Sequence, residues 1–232
     1  MAIMGPKHTS NNLPKGITSE RLLLVEGKDE CIFFSVWLPR IVKSVQIINI
    51  GGKDQFNNHF PVIMKLPGFN NVQKLGIIRD AEDNCASTFQ SIQSMLNNNH
   101  MPPPLLAGQI NKSTSPHLGV WIMPDNLNTG SIENLCWDLV PRNDPRMACS
   151  ENFIDCLKNA GLRPKGNADP DIPLKATSMF LPSRLEKTKV QAYLGSLCDP
   201  QRELGRAAEA GVWDFGHQRL ENLREFLIDL FR

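Results

Sequence analysis

Residues 22–30 read LLLVEGKDE: an apolar run with no polar face, then a glutamate, a glycine and a burst of charge. The run is too short for a helix and apolar at every position, which fits a strand covered on both faces, as in a parallel sheet. A parallel neighbour has to be reached through a crossover, so a helix should follow. KDECIFFSVWLPRI supplies one, with Ile32, Phe33, Val36 and Trp37 at near-helical spacing before Pro39, predicting a helix over about 29–38 with Lys28 and Asp29 at its start.

The alternation continues outward. VQIINIGG reads as a second strand stopped by a glycine pair, and DQFNNHFPVIMKLPG as a helix with Phe56, Phe60 and Met64 inside. Pro61 requires that helix to kink or to begin near it. LGIIRD is a third strand, and ASTFQSIQSMLNN carries Phe89, Ile92, Met95 and Leu96 on one helical face. HMPPPLLAGQINKSTSP is loop-like with a short strand expected at LLAGQI, and HLGVWIMPD is the next clear strand. Strands alternating with helices predict an α/β fold, a mostly parallel, Rossmann-like sheet flanked by helices.

Beyond residue 130 the character is helical: SIENLCWDLV, SENFIDCLKNAG, a stretch around 185–197, and QRLENLREFLIDLF. The last gathers Leu220, Leu223, Phe226, Leu227 and Leu230 on one face, as expected of a helix packed on the sheet. This divides the chain into a flexible leader (1–18), an α/β core (19–140) and a mainly helical C-terminal part packed on it (141–232).

Composition restricts the function classes. With 232 residues, 41% hydrophobic and 21% charged, the chain can bury a sizeable core and is that of a soluble globular protein. No apolar stretch reaches membrane-spanning length, and the first residues lack the apolar centre of a secretory signal, so a cytoplasmic location is expected. Six cysteines, with no CxxC pair, read as reduced and mostly core thiols rather than a zinc set. The five histidines are dispersed and favour no histidine-based site. A net charge of +1 excludes a strong global pull on nucleic acid, so any such binding is local. Basic residues thicken in the second half at Arg142, Arg146, Arg163, Lys165, Lys175, Arg184, Lys187, Lys189, Arg202 and Arg206, a pattern that a solvated surface also produces.

Three apolar strands end in acid, at Glu26, Asp80 and Asp125, where parallel sheets collect their ligands. RDAEDN adds Glu82 two residues after Asp80, which places both side chains on the same side of an extended segment. Carboxylates gathered in this way repel unless protonated or neutralised by a cation. All-oxygen ligation favours Mg²⁺ or Mn²⁺, ions that serve phosphodiester chemistry. Neither VEGKDE nor IGGKDQ has the spacing of an ATP-binding P-loop, so Gly27, Gly51 and Gly52 are read as turn residues allowing close backbone approach.

VEGKDE, INIGGKDQ and IIRDAED together resemble the TOPRIM domain shared by topoisomerases, bacterial primases and the overcoming-lysogenization-defect (OLD) nucleases. Within that group the likeness is to the small TOPRIM-like families near the OLD nucleases, including the domain of unknown function 3226. It covers about residues 20–135 and implies a TOPRIM-like fold and a metal-dependent nuclease. The family's first Glu maps to Glu26, and its Asp-x-Asp to Asp80 with Glu82. Glu is the longer ligand at that second place, and Asp83 is an alternative to it. MPDNLNTGSIENL resembles the segment that supplies a further acid at a helix start, which maps to Glu133 beside Ser131, with Asp125 as a contributor. The downstream lysine of OLD-type nucleases, which stabilises charge at the phosphate, falls within LEKTKVQAYL, with Lys189 preferred over Lys187.

Bland readings stand beside these. Glu133 at a helix start also satisfies the helix dipole, Asp125 next to Asn126 also reads as a turn residue, and both lysines also read as solvated. The sequence-based expectation is Mg²⁺- or Mn²⁺-dependent hydrolysis of DNA phosphodiesters, as a nuclease or nickase, with Glu26, Asp80, Glu82 and Lys189 catalytic. Glu26, Asp80, Glu82, Glu133 and Asp125 form the metal-ligand set. Topoisomerases of the TOPRIM group attack with a tyrosine from another domain, whereas this chain has Tyr193 alone, on an expected helix, so a metal-activated water is the simpler nucleophile. OLD nucleases carry an ATPase domain that this sequence does not contain, which implies a separately encoded ATPase as partner; a homo-oligomer is also compatible. The rival reading is a non-catalytic TOPRIM-like module that binds nucleic acid or protein.

Overall fold

The computed structural model describes residues 13–162, 181–182 and 184–232. Arg163, Lys165, Lys175 and the first twelve residues of the expected leader lie outside the described residues.

β1 (Arg21–Val25) is buried on both faces, as its unbroken apolar run requires. It lies between β2 (Val45–Asn49) and β3 (Lys74–Asp80), parallel to both, and β3 pairs in parallel with β5 (His117–Met123). A two-residue strand β4 (Ile110–Asn111) closes the edge antiparallel to β5, giving the order β2-β1-β3-β5-β4. The fold is therefore α/β, a mostly parallel five-stranded sheet flanked by helices.

On one face, Leu22, Leu24, Ile48, Ile77, Leu118 and Val120 pack against α2 (Phe56–Met64) and α3 (Cys85–Asn98) through Phe60, Ile63, Ile92 and Leu96. The other face carries α1 (Lys28–Trp37) and the later helices: α4 (Ile132–Asp138), α5 (Pro145–Asn159), α6 (Leu185–Gly195), α7 (Leu204–Glu209) and α8 (Glu221–Phe231). Gly76 and Gly119 are register partners on β3 and β5, and Leu230 of α8 sits where a side chain on either would have stood.

Several expectations change. α2 begins at Phe56 and carries Pro61 in its interior; a three-residue helical turn at Lys53–Gln55 leads into it, so the proline removes a single hydrogen bond close to the helix end. The strand expected at LLAGQI is confined to its last residue and the next, and Leu105 and Leu106 are exposed instead. The end of the expected leader is anchored: Ile17 is buried and its amide donates to the Pro67 carbonyl at 2.7 Å. Cys149, Cys156 and Cys198 are exposed, so the thiols are not mostly core. α7 has no counterpart in the sequence reading, because six residues are too few to show a helical period.

Candidate metal centre

The chain leaves β1 at Glu26, whose carbonyl accepts from both Gly51 N (3.1 Å) and Gly52 N (2.8 Å). Those glycines hold φ of 92° and 115°, a backbone that side-chain-bearing residues resist, so the glycine pair docks the end of β2 onto the start of the site. Gly27 then leaves room for the Glu30 carboxylate to fold back over the first turn of α1; an added Cβ would stand 2.7 Å from Glu30 Oε2.

Asp80 ends β3, and its Oδ1 accepts from the Ile132 amide at 3.0 Å, the first free N–H of α4. Glu82 is not on an extended segment, as its spacing from Asp80 suggests. It takes φ of 53°, pinned by two 2.9 Å hydrogen bonds between its backbone and that of Gly130. The turn, rather than strand alternation, brings its carboxylate back to Asp80. Glu26, Asp80 and Glu82 each present an oxygen, all within 4.8 Å of one another.

The electrostatics of this cluster are unfavourable without a cation. Burial pushes the Asp80 carboxyl well above the usual carboxylate range, with Glu30, Glu26 and Glu133 adding to the rise and the Ile132 amide opposing it. Burial also raises Glu26, against the opposing pull of Arg79 and the Asp80 amide. Glu30 is pushed up to about 7, first by burial and then by Glu133 and Glu26. Glu26 Oε2 is buried with no hydrogen-bond partner, and Arg79 Nε, 3.8 Å away, is equally unmatched. An orphaned buried carboxylate oxygen beside two further carboxylates fits a hard divalent cation, which would neutralise the repulsion and take up the unused lone pairs.

The other expected residues divide. Glu133 is buried in the first turn of α4, where Ser131 caps the helix, and it lies 3.6 Å from Lys187 Nζ. It stands outside the three-carboxylate group but close enough to shift Asp80 and Glu30. Asp125 is committed elsewhere. Its carboxylate accepts from the amides of Leu127 (3.2 Å) and Asn128 (2.8 Å) and pairs with Arg219 at 2.8 Å. Partial burial opposes ionisation there, but these donors outweigh it and hold the group at about 2. Asp83 is exposed and outside the cluster. Lys189 is drawn to Glu186 (2.7 Å) and over the Trp137 ring (4.6 Å), so Lys187 rather than Lys189 reaches the acids. Tyr193 is buried, with its hydroxyl donating to Asp144 at 3.0 Å.

Sequence reading missed Glu30, Lys53 and Arg79, and it named Arg184 without assigning it to the site. Glu30 occupies the helical stripe of Phe33, Phe34 and Trp37, all buried, and an acid at such a position is itself a signal. Glu82 receives Arg184 at 2.6 Å and Lys53 at 3.7 Å. Of the other described basic residues of the second half, Arg142, Arg146 and Arg206 are engaged in local pairs with Asp138, Asp144 and Glu209. No helix among the described residues is long and apolar enough to cross a membrane.

No curated protein matches the sequence. A solved structure, the C-terminal region of the Xanthomonas campestris pv. campestris OLD protein, aligns over 91% of this chain and 95% of its own at 14% identity, with a TM-score of 0.33, too loose a likeness to carry structural or functional weight. A family model described as a protein of unknown function, DUF3226, matches residues 20–232, and the chain belongs to that family.

Proposed function

We propose that the protein is a Mg²⁺- or Mn²⁺-dependent phosphodiesterase acting on DNA, a TOPRIM-like nuclease or nickase. The observation that carries this reading is the convergence of Glu26, Asp80 and Glu82, from the ends of two adjacent parallel strands, on a space narrow enough for one hard cation. Glu26, Asp80 and Glu82 would hold the ion, with Glu133 and Glu30 behind them as further acids. Bound there, a divalent cation supplies Lewis-acid stabilisation of phosphoryl oxygens and eases deprotonation of an attacking water.

The chain's own groups do the rest. The Ile132 amide fixes Asp80 and leaves its second oxygen for ligation. Lys187, Lys53 and Arg184 stand at the acids as charges that can turn to a substrate phosphate, which itself draws cations. Tyr193 is engaged with Asp144, which favours water as the nucleophile over a covalent tyrosine. A separately encoded ATPase is the partner expected of such a protein. One observation favours the non-catalytic alternative: Glu82 is already paired with Arg184 and Lys53, which compete with a metal ion for its oxygens.

The test is cleavage of supercoiled and linear DNA with Mg²⁺ or Mn²⁺, comparing the wild type with Asp80→Ala and Glu26→Ala. Metal-dependent cutting that both substitutions abolish is expected. Its absence in the wild type, or its survival in both variants, rules the nuclease out.

A further inference from the structure

The groove between α2 and α3 lies outside the acid cluster, and its lining carries no charge. Asn57 and Pro61 face it from α2, and Ser91, Ser94, Asn98 and Asn99 from α3, around a volume of about 370 Å³. On α3 the polar face is continuous, since Ser87, Ser91, Ser94 and Asn98 recur at helical spacing from the first turn, beside the end of β3.

Arg79 joins this groove to the metal centre, and Lys53 stands at the acids nearby in sequence. Arg79 stands 3.8 Å from Glu26 and donates through Nη1 to Ser91 Oγ at 3.3 Å. Its guanidinium lies 5.5 Å from the centre of the Phe56 ring, the residue before Asn57. Lys53, four residues before Asn57, has its ammonium 3.7 Å from Glu82 and is 44% exposed. A polyanion held at the acids therefore meets the exposed Lys53, with Arg79 largely buried behind it, and then a wall of amides and hydroxyls without a carboxylate to repel it.

Phosphates are gripped mainly by lysine and arginine, whereas side-chain amides, which both donate and accept, match the edges of bases. The groove's volume is at the lower end of small-ligand pockets, which suits one nucleotide and not the width of a duplex. Resting on the nuclease reading above, the geometry points to this groove as the subsite for an unpaired nucleotide a few places along the strand from the scissile phosphate. The substrate strand is then single-stranded on that side, as at a flap, a tail or a melted end.

Ser94→Trp and Asn98→Trp fill the groove from exposed positions, so the fold should survive; circular dichroism and Mn²⁺ titration calorimetry check the fold and the metal centre. Binding is read by anisotropy of a short fluorescein-labelled single strand with a hydrolysis-resistant phosphorothioate backbone, in the presence of Mn²⁺. Both variants should bind it about tenfold more weakly than the wild type, in the range of one lost nucleotide contact, with Mn²⁺ binding unchanged. Variants that bind and cut like the wild type overturn the subsite and leave the nuclease standing. So does a wild type that prefers blunt duplex, or a free 5′-mononucleotide that competes as tightly as the strand. A wild type that binds the strand through the groove but cuts nothing keeps the subsite and removes the nuclease. One that neither binds nor cuts nucleic acid overturns both.

Discussion

Asp80, the last residue of β3, is in register with Met123, two residues before Asp125, so both aspartates leave the sheet at the same edge. Asp125 meets two turn amides, the Asn128 side chain and Arg219, and its charge is fully matched. Asp80 meets one amide and a group of buried acids, and its charge is opposed. Strand-end position delivers an acid to the edge of a parallel sheet, but the number of donors waiting there decides whether its oxygens are all satisfied or one is left free. A carboxylate with every lone pair engaged has nothing left for a cation.

The sharpest way to break this contrast is to remove each aspartate in turn. Asp80→Asn should lower Mn²⁺ affinity and cleavage by about a hundredfold or more, as loss of a direct ligand. Asp125→Ala should leave both within about twofold while costing about 1–3 kcal/mol in urea unfolding through its lost hydrogen bonds. Equal losses of Mn²⁺ binding, read by calorimetry, would erase the distinction.

The two kinds of acid should also bend stability against pH in opposite directions. Glu30 is raised from 4.5 to about 7, so the folded state holds its proton longer than the unfolded chain. Its destabilisation is absent below pH 4.5 and grows as pH rises to about 7. Glu30→Gln should therefore stabilise the metal-free protein by roughly 1–3 kcal/mol above that range and change little below it. Asp125 is lowered from 3.8 to about 2, so its contribution is present above 3.8 and lost as pH falls through about 2. Asp125→Asn should flatten that acid limb in thermal melts recorded across the range.

Smaller effects separate the two lysines. Lys187→Met should reduce cleavage roughly tenfold, the scale of one misplaced charge near a phosphate. Lys189→Met should leave cleavage unchanged and cost about 0.5–1 kcal/mol of stability through its contact with Trp137. A reversal of these two outcomes would restore Lys189 to the site.

Much of the sheet was legible because LLLV, LGII and LGVWIM are apolar on both faces, a pattern that fits a covered parallel strand. The acids at its edge were legible for the same reason, since they interrupt those runs. Their partners were not. Asp125 and Asp80 look alike until Arg219 arrives from residues far along the chain. Lys187 and Lys189 are two apart on α6, hence on different sides of the helix, and nothing local says which side faces Glu133. The Glu82 turn depends on Gly130, nearly fifty residues on, so its left-handed backbone has no local signature. The burst KDE concealed Glu30, because charge at a helix start is ordinary and only the stripe of Phe33, Phe34 and Trp37 marks it as buried.

The paired glycines of β3 and β5 bear on the order in which the molecule can be assembled. The notch they form is filled by Phe226, Leu230 and Phe231. A nascent chain that has delivered β1–β5 still lacks α8, and the centre of one sheet face lacks its cover until a segment some hundred residues after β5 has left the ribosome. The acids can gather long before that face is closed. Contacts of such sequence separation slow folding, and they leave that apolar face to be covered last.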